Sequence, residues 1–370
     1  MSLSAFRSNH FFFSFFFQGI LEITFSETID ANPSSNVDLT KLFLAQTSGD
    51  THLPIVGASV EAVEALTITV TLTEVQRVTA LQASATDGGD GNAILLDVLA
   101  DFIFDIGLQR NIAQMGVTVS ESEDAIIPTI NYANINYNSG LLTIFGSETL
   151  DVNPANKVDL AKIFVVNQAN ARASCTTDSV VATCGFALTG ATVTAQNDEH
   201  FNLTLTETQR VLAIAMSGTT GGDGSAVFVD FDASAFQDVG LNRNQVQSGV
   251  TVNELVDTTP PTALSVSINY GTGLVIIQTS EIVDLTPISK LDLSKIYISE
   301  SNGAETIQLL GVHSSVSIDG MSIQVTLTER QRIAALKISG TSGGDGGKVI
   351  FEFKEGAFVD IAQNVSSFFK

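Results

Sequence analysis

The sequence predicts an all-β chain of three tandem β-sandwiches, each carrying one short capped helix. Three observations lead there. First, the chain repeats itself: Thr73-Glu74-Val75-Gln76-Arg77 returns as Thr206-Glu207-Thr208-Gln209-Arg210 and as Thr328-Glu329-Arg330-Gln331-Arg332. A Gly-Gly-Asp-Gly turn follows each copy, at Gly88, Gly221 and Gly343. The period of about 120 residues is too long for a solenoid unit and right for a whole domain. Second, 44% of the 370 residues are hydrophobic and only 15% charged, which suits β-structure with a buried core. Third, short alternating segments recur between turn signals, about seven to a repeat, as in a two-sheet sandwich.

Each repeat opens with an alternating strand that ends in an acid: Leu21 to Glu27, Leu141 to Glu148, Leu274 to Glu281. Asp30, Asp151 or Asp284 follows, and then Pro33, Pro154 or Pro287 breaks the ladder. An Asp-Leu-x-Lys turn comes next, with Asp38, Asp159 and Asp292 as N-caps of single helical turns. It feeds the apolar strands at Leu42, Ile163 and Ile296. After a hairpin of variable length comes a second alternating strand: Leu66 to Leu72, Phe201 to Leu205, Ser322 to Leu327. Thr-x-x-Gln then predicts a capping box, Thr73, Thr206 and Thr328 being N-caps and Gln76, Gln209 and Gln331 reaching back. These helices are expected to stop near Ser84, Ser217 and Ser339, and the glycine-rich turn returns the chain to strand. Gly116-Val117-Thr118-Val119 and Gly249-Val250-Thr251-Val252 close the first two units.

The net charge of −23 comes from forty acids against seventeen bases, with no cluster of Lys and Arg for nucleic acid. Acidity favours solubility and attracts cations. Cys175 and Cys184 fall in a stretch found only in the middle repeat, at a spacing that suits a structural disulfide across a hairpin. Residues 1–18 hold a phenylalanine-rich run, Phe11 to Phe17, behind Arg7; it reads as a leader, or as a non-native start that is either a mis-called gene start or a non-native first strand, and is too short to span a bilayer. The units are expected at 19–127, 128–260 and 261–370. The first is expected to lack the strand seen at Ile130 and Ile268, and the third its closing strand. Either the chain is a piece of a longer array, or the missing strands leave edges that accept strands from a neighbour.

From Glu74 to Glu148 and from Glu207 to Glu281 the separation is the same, although the front hairpins differ in length. A floppy linker needs no fixed length, whereas a joint of defined geometry does.

Phe25-Ser26-Glu27 with Ile29-Asp30, the late Asp238-Val239-Gly240-Leu241-Asn242 and the joint Asp257-Thr258-Thr259-Pro260-Pro261 together resemble the tandem bacterial Ig-like repeats of large secreted or cell-surface proteins, adhesin or S-layer-like. The resemblance covers nearly the whole chain after about residue 19, and departs from the family in Gly146-Ser147-Glu148 and Thr279-Ser280-Glu281. It implies an extracellular or cell-surface setting, a structural or adhesive role, and calcium at the joints. Hard cations want several oxygens in one place. The expected ligands are the strand-end Glu148 and Glu281, the joint Asp124 and Asp257, and the closing-turn Asp105 and Asp238, with Asp151 and Asp284 close by.

The Gly-Gly-Asp-Gly turn does not read as a phosphate cradle, because its helix precedes it and a strand follows. Asp90, Asp223 and Asp345 could bind calcium, but are expected to pair with Arg77, Arg210 and Arg332, or simply to close the turn. No catalysis is expected: the histidines His10, His52, His200 and His313 share no repeat position, no nucleophile elbow is present, and paired carboxylates recur in every repeat alike. The alternatives carried forward are glycan binding through the variable hairpins and a filament joined by strand exchange. Partners would be a cell-surface or matrix ligand or neighbouring repeats, with no nucleic acid and no membrane span.

Overall fold

The computed structural model describes residues 13–16, 19–49, 53–169, 185–301, 303, 306–312, 314–315 and 318–369. It is an all-β chain of sandwiches, and the middle module displays the plan. Ile130–Asn136, Leu141–Leu150, Asp198–Thr204 and Thr192–Val193 make one sheet; Ile163–Val166, Phe186–Ala187 and Phe228–Phe231 make the other. The last strand, Gln247–Leu255, serves both. Its first half pairs antiparallel with Phe228–Phe231, and its second half runs parallel to Ile130–Asn136. Period-two alternation aims Leu142 and Ile144, with Phe201 and Leu203, at Val165, Val229 and Phe231 of the facing sheet, all of them buried.

In the first module the place of Ile130–Asn136 is not empty, as expected from sequence, but taken by Phe13–Phe16. That strand pairs antiparallel with Ile20–Asp30 and parallel with Ser120–Glu121. The backbone groups along Ile20–Asp30 need partners, and this stretch supplies them without the alternation that marks the other copies. In the third module Ala263–Asn269 and Val349–Phe353 are edge strands; among the described residues no strand joins them as Gln247–Leu255 does in the second. Cys175, Cys184, His10, His52 and His313 lie outside the described residues.

The local grammar read from sequence forms in all three copies. Asp38, Asp159 and Asp292 cap single 3-10 turns by accepting the N–H of Thr40, Ala161 and Ser294. Among the described residues the three α-helices, α1 (Glu74–Gln82), α2 (Glu207–Ala215) and α3 (Glu329–Lys337), each open on a reciprocal Thr–Gln capping box. The glutamine does more than cap: Gln76 Nε2 also donates to the carbonyls of Pro54 and Val56, as Gln209 does to Ala187 and Thr189. It thereby pins the helix start to the hairpin strand and sets the direction in which the next residue, Arg77 or Arg210, leaves the helix.

The long opening strands are irregular where they carry their acids. Pairing shifts register between Phe145 and Leu150, and likewise between Gln278 and Val283. Beside this break lies the closing turn of the same module, through the bridges Leu150↔Asp238 and Val283↔Asp360. Strand-end acid and closing-turn acid therefore stand together at the front end of each module, facing the module before it.

Candidate functional site: the joints between modules

At the first joint Arg77 leaves α1 and enters the next module. Its Nε and Nη2 donate to the two carboxylate oxygens of Glu74, both at 2.7 Å, in a bidentate fork. Nη1 donates to Asp124 Oδ2 at 2.9 Å, and Nη2 also reaches Glu148 Oε2 at 3.1 Å. The side chains of Arg77, Asp124 and Glu148 are 7%, 1% and 9% exposed. The second joint repeats this atom for atom: Arg210 binds Glu207, Asp257 at 2.5 Å and Glu281 at 2.8 Å. Glu74 Oε1 accepts the N–H of Thr149 across the joint at 2.9 Å, and Glu207 Oε1 that of Ile282 at 2.8 Å. The equal separations seen in the sequence thus connect residues that meet.

The Gly-Gly-Asp-Gly turn belongs to the same interface. Gly88 has φ +86, and a Cβ there would lie 2.0 Å from the Val239 carbonyl oxygen; Gly221, with φ +90, faces the Ile361 carbonyl in the same way at 2.1 Å. Only glycine lets the two backbones approach this closely. The residues that come with those carbonyls are apolar plugs. Val239 joins the core of the first module, and Ile361 packs against that of the second with Ala362 buried in it. The Asn242 side chain then donates to the Asp124 carbonyl, and Asn364 to that of Asp257.

One guanidinium faces more carboxylate than it neutralises. Asp124, Glu148 and Asp238 present oxygens that all lie within 4.8 Å of one another, as do Asp257, Glu281 and Asp360. Burial, with Asp238 adding and Arg77 opposing, pushes Glu148 up to about 8. Burial lifts Asp238 to about 6 against the hydrogen bonds from Asn242, and Glu281 to about 7 against Arg210. Asp360 is raised for the same first reason. Glu74 goes the other way: burial raises it, but the bonds from Arg77 and Thr149 outweigh that and hold it below the usual carboxylate range.

The structure brings together the expected Asp124 with Glu148 and Asp257 with Glu281. It changes the third member. The closing-turn acid comes from the following module, Asp238 or Asp360, because that turn lies at its own module's front end. Asp105 bridges Ile29 there and stands in neither cluster. Asp151 and Asp284 are held by Lys157 and Lys290 instead. Of the two expectations for the glycine turn, the plain turn forms and the ion pairs do not: Asp90 accepts from Gln46 and the Asn92 N–H, Asp223 from Asn167 and the Ser225 N–H. Sequence reasoning misses the arginines as joint residues; their constant offset from Asp124 and Asp257, inside the same length-locked stretch, is the signal that marks them.

No family model matches the chain, and no curated protein matches it. Among solved structures, the N-terminal part of the bacterial S-layer protein SbsC is 12% identical at a TM-score of 0.20, over 53% of this chain and 43% of that one. Drosophila OTK extracellular domains 3–5 are 6% identical at 0.22, over 88% and 90%. Chicken CNTN1 FN1–FN3 domains are 9% identical at 0.21, over 98% and 95%. At these distances the fold assignment rests on the strand order given above. Among the described residues no helix is long and apolar enough to cross a membrane.

Proposed function

We propose that this chain is a non-catalytic structural or adhesive segment of a secreted or cell-surface protein, and that its joints hold the modules as a stiff rod. The buried arginine shared by three carboxylates at each joint carries this reading. An ion pair so desolvated tolerates little reorientation, because any tilt strands a buried charge. Ordinary inter-domain contacts leave relative motion as the default. Small-angle scattering tests it: the wild-type profile fits a single rigid conformation, whereas Arg77→Ala with Arg210→Ala broadens it to an ensemble. A broad ensemble for the wild type overturns the reading.

A second reading adds calcium to the same joints. It is favoured by one atom: Glu148 Oε1 is buried and has no hydrogen-bond partner. Asp124, Glu148 and Asp238 would hold the ion at the first joint, and Asp257, Glu281 and Asp360 at the second. The ion would supply the positive charge that one arginine lacks. Binding heat that disappears in Glu148→Gln supports calcium; no heat, together with no change in melting on chelation, excludes it. Partners would be neighbouring repeats or a surface or matrix ligand.

A further inference from the structure

In a chain of net charge −23, one cleft of the second module is lined by three bases. It lies between the two 3-10 turns, Ala155–Lys157 and Leu160–Lys162, and the segment from Ser234 to Arg243, and its volume is about 310 Å³. Lys157, Lys162 and Arg243 line it beside a single acid, Asp159. Lys157 is committed to the buried Asp151, and Lys162 lies 3.3 Å from Asp159. Arg243 is exposed and makes no ion pair among the described residues.

The first module shows what such a place is shaped to hold. Lys41 ends the same 3-10 turn as Lys162, and Arg110 bridges Phe104 as Arg243 bridges Gln237. Between these two cations stands Asp101, whose carboxylate is 3.9 Å from each. Its counterpart in the second module is Ser234: both donate their N–H to the equivalent carbonyl, Asn111 or Asn244, and both sit on left-handed backbone, φ 64 and φ 60. The second module therefore keeps both cations and lacks the carboxylate between them. The third module has Gly356 and Val365 at these positions, so it has neither the acid nor the guanidinium.

We propose that this cleft binds the carboxylate of an acidic sugar, a hexuronate unit of a polysaccharide. The ligand's carboxylate takes the place that Asp101 fills in the first module, between the Arg243 fork and the Lys162 ammonium. The other walls fit a sugar ring better than an acidic peptide. Asn156, Ser234 and Gln237 offer amides and a hydroxyl, and Asp159 accepts, which suits a ring of vicinal hydroxyls. Phe236, the aromatic side chain beneath, is 2% exposed and offers little apolar surface to a peptide side chain. The volume is at the small end of ligand sites, enough for one sugar unit. The proposal names a ligand for the adhesive role above and rests on that reading, with one site per chain.

Calorimetry on the full chain with a galacturonate tetramer tests it. The expected result is one site with a Kd of about 0.1–1 mM, weakening as salt is added. Arg243→Gln and Ser234→Asp each weaken binding about tenfold or more. Ser234→Asp recreates the first module's internal pair on a backbone that already accepts aspartate there, so its melting temperature stays that of the wild type. No heat from the uronate at about 10 mM, equal heat from a neutral galactose tetramer, or unchanged affinity in Ser234→Asp overturns the proposal. A tetraglutamate peptide that binds as tightly overturns it too, by assigning the cleft to acidic peptides. Scattering from the same samples reads the joints separately. A stiff chain that ignores uronate refutes the ligand alone, and a flexible chain that binds it refutes the rod alone.

Discussion

Arg77 and Glu148 lie in different modules, 71 residues apart, and meet at 3.1 Å with both side chains less than one-tenth exposed. The contact makes the helix of one module answerable to the strand end of the next. It also explains why chain length between these elements is constant, while the front hairpins are free to vary.

Arg77→Ala leaves Asp124 and Glu148 buried without their counter-charge. Breaking a buried pair in this way costs about 3–5 kcal/mol. Arg332→Ala removes the same residue from the same helix position, where among the described residues it bonds only within its own module, to Glu329 and the Tyr270 carbonyl, and a smaller loss is expected. Thermal unfolding of the two variants compares them directly. Equal destabilisation would mean that the arginine acts within its own module and not across the joint.

Gly88→Ala introduces two costs. The left-handed backbone alone penalises a side chain by about 1–2 kcal/mol, and the new Cβ must displace the Val239 carbonyl, an overpacking cost of about 1–3 kcal/mol. Gly343→Ala shares the first cost, with φ +94, but meets only ordinary contact with the Leu336 side chain at 3.8 Å. The difference between the two variants in urea unfolding isolates the joint. If Gly343→Ala is as damaging as Gly88→Ala, the turn is glycine-rich for its own conformation only.

What the sequence announces and what it hides divide along a physical line. Capping boxes at Thr73, Thr206 and Thr328, and the Asp38-type caps, are made by atoms a few residues apart, so composition and spacing reveal them. Arg77 looks locally like any helix arginine: Glu74, one turn earlier, and the repeated Asp90 are the acids its own module's sequence offers it. Its partners Asp124 and Glu148 are 47 and 71 residues away, and only the joint brings them close. Gly88 is equally silent: a tight turn and a close approach to another module both demand glycine. Spacing alone places Asp105 at the joint behind its module; the end of the sandwich that the closing turn occupies is set by the Leu150↔Asp238 type of bridge, which the sequence does not show. Phe13–Phe16 lacked the alternation that marks a strand, and was recruited by the unpaired edge beside it.

Gln209→Ala should cost more than Thr206→Ala, although both break the same capping box. Loss of the threonine cap costs about 1 kcal/mol. Loss of the glutamine, itself only 6% exposed, also removes its two bonds to the Ala187 and Thr189 carbonyls. Losing those bonds adds about 0.5–1.5 kcal/mol each. Urea midpoints for the two variants decide it; a larger loss for Thr206→Ala would show that Gln209 serves the helix alone.

The crowded carboxylates give the joint an unusual response to pH. Glu148 titrates near 4.5 in an unfolded chain and is pushed up to about 8 in the folded one, while Glu281 is pushed to about 7. Below pH 4.5 both states hold the proton, and the joint carries no penalty from this group. As pH rises above that, the unfolded chain releases the proton while the folded one keeps it, so stability falls until the folded group also ionises near pH 8. The slope for one proton is at most about 1.4 kcal/mol per pH unit. In chelator the melting temperature should therefore decline between about pH 4.5 and 8 relative to Glu148→Gln, whose amide cannot ionise. If calcium binds the ionised cluster, adding it raises stability most at the upper end of that window and flattens the difference. Wild type and Glu148→Gln running parallel across the window, with and without calcium, would refute both the strained carboxylate and the ion.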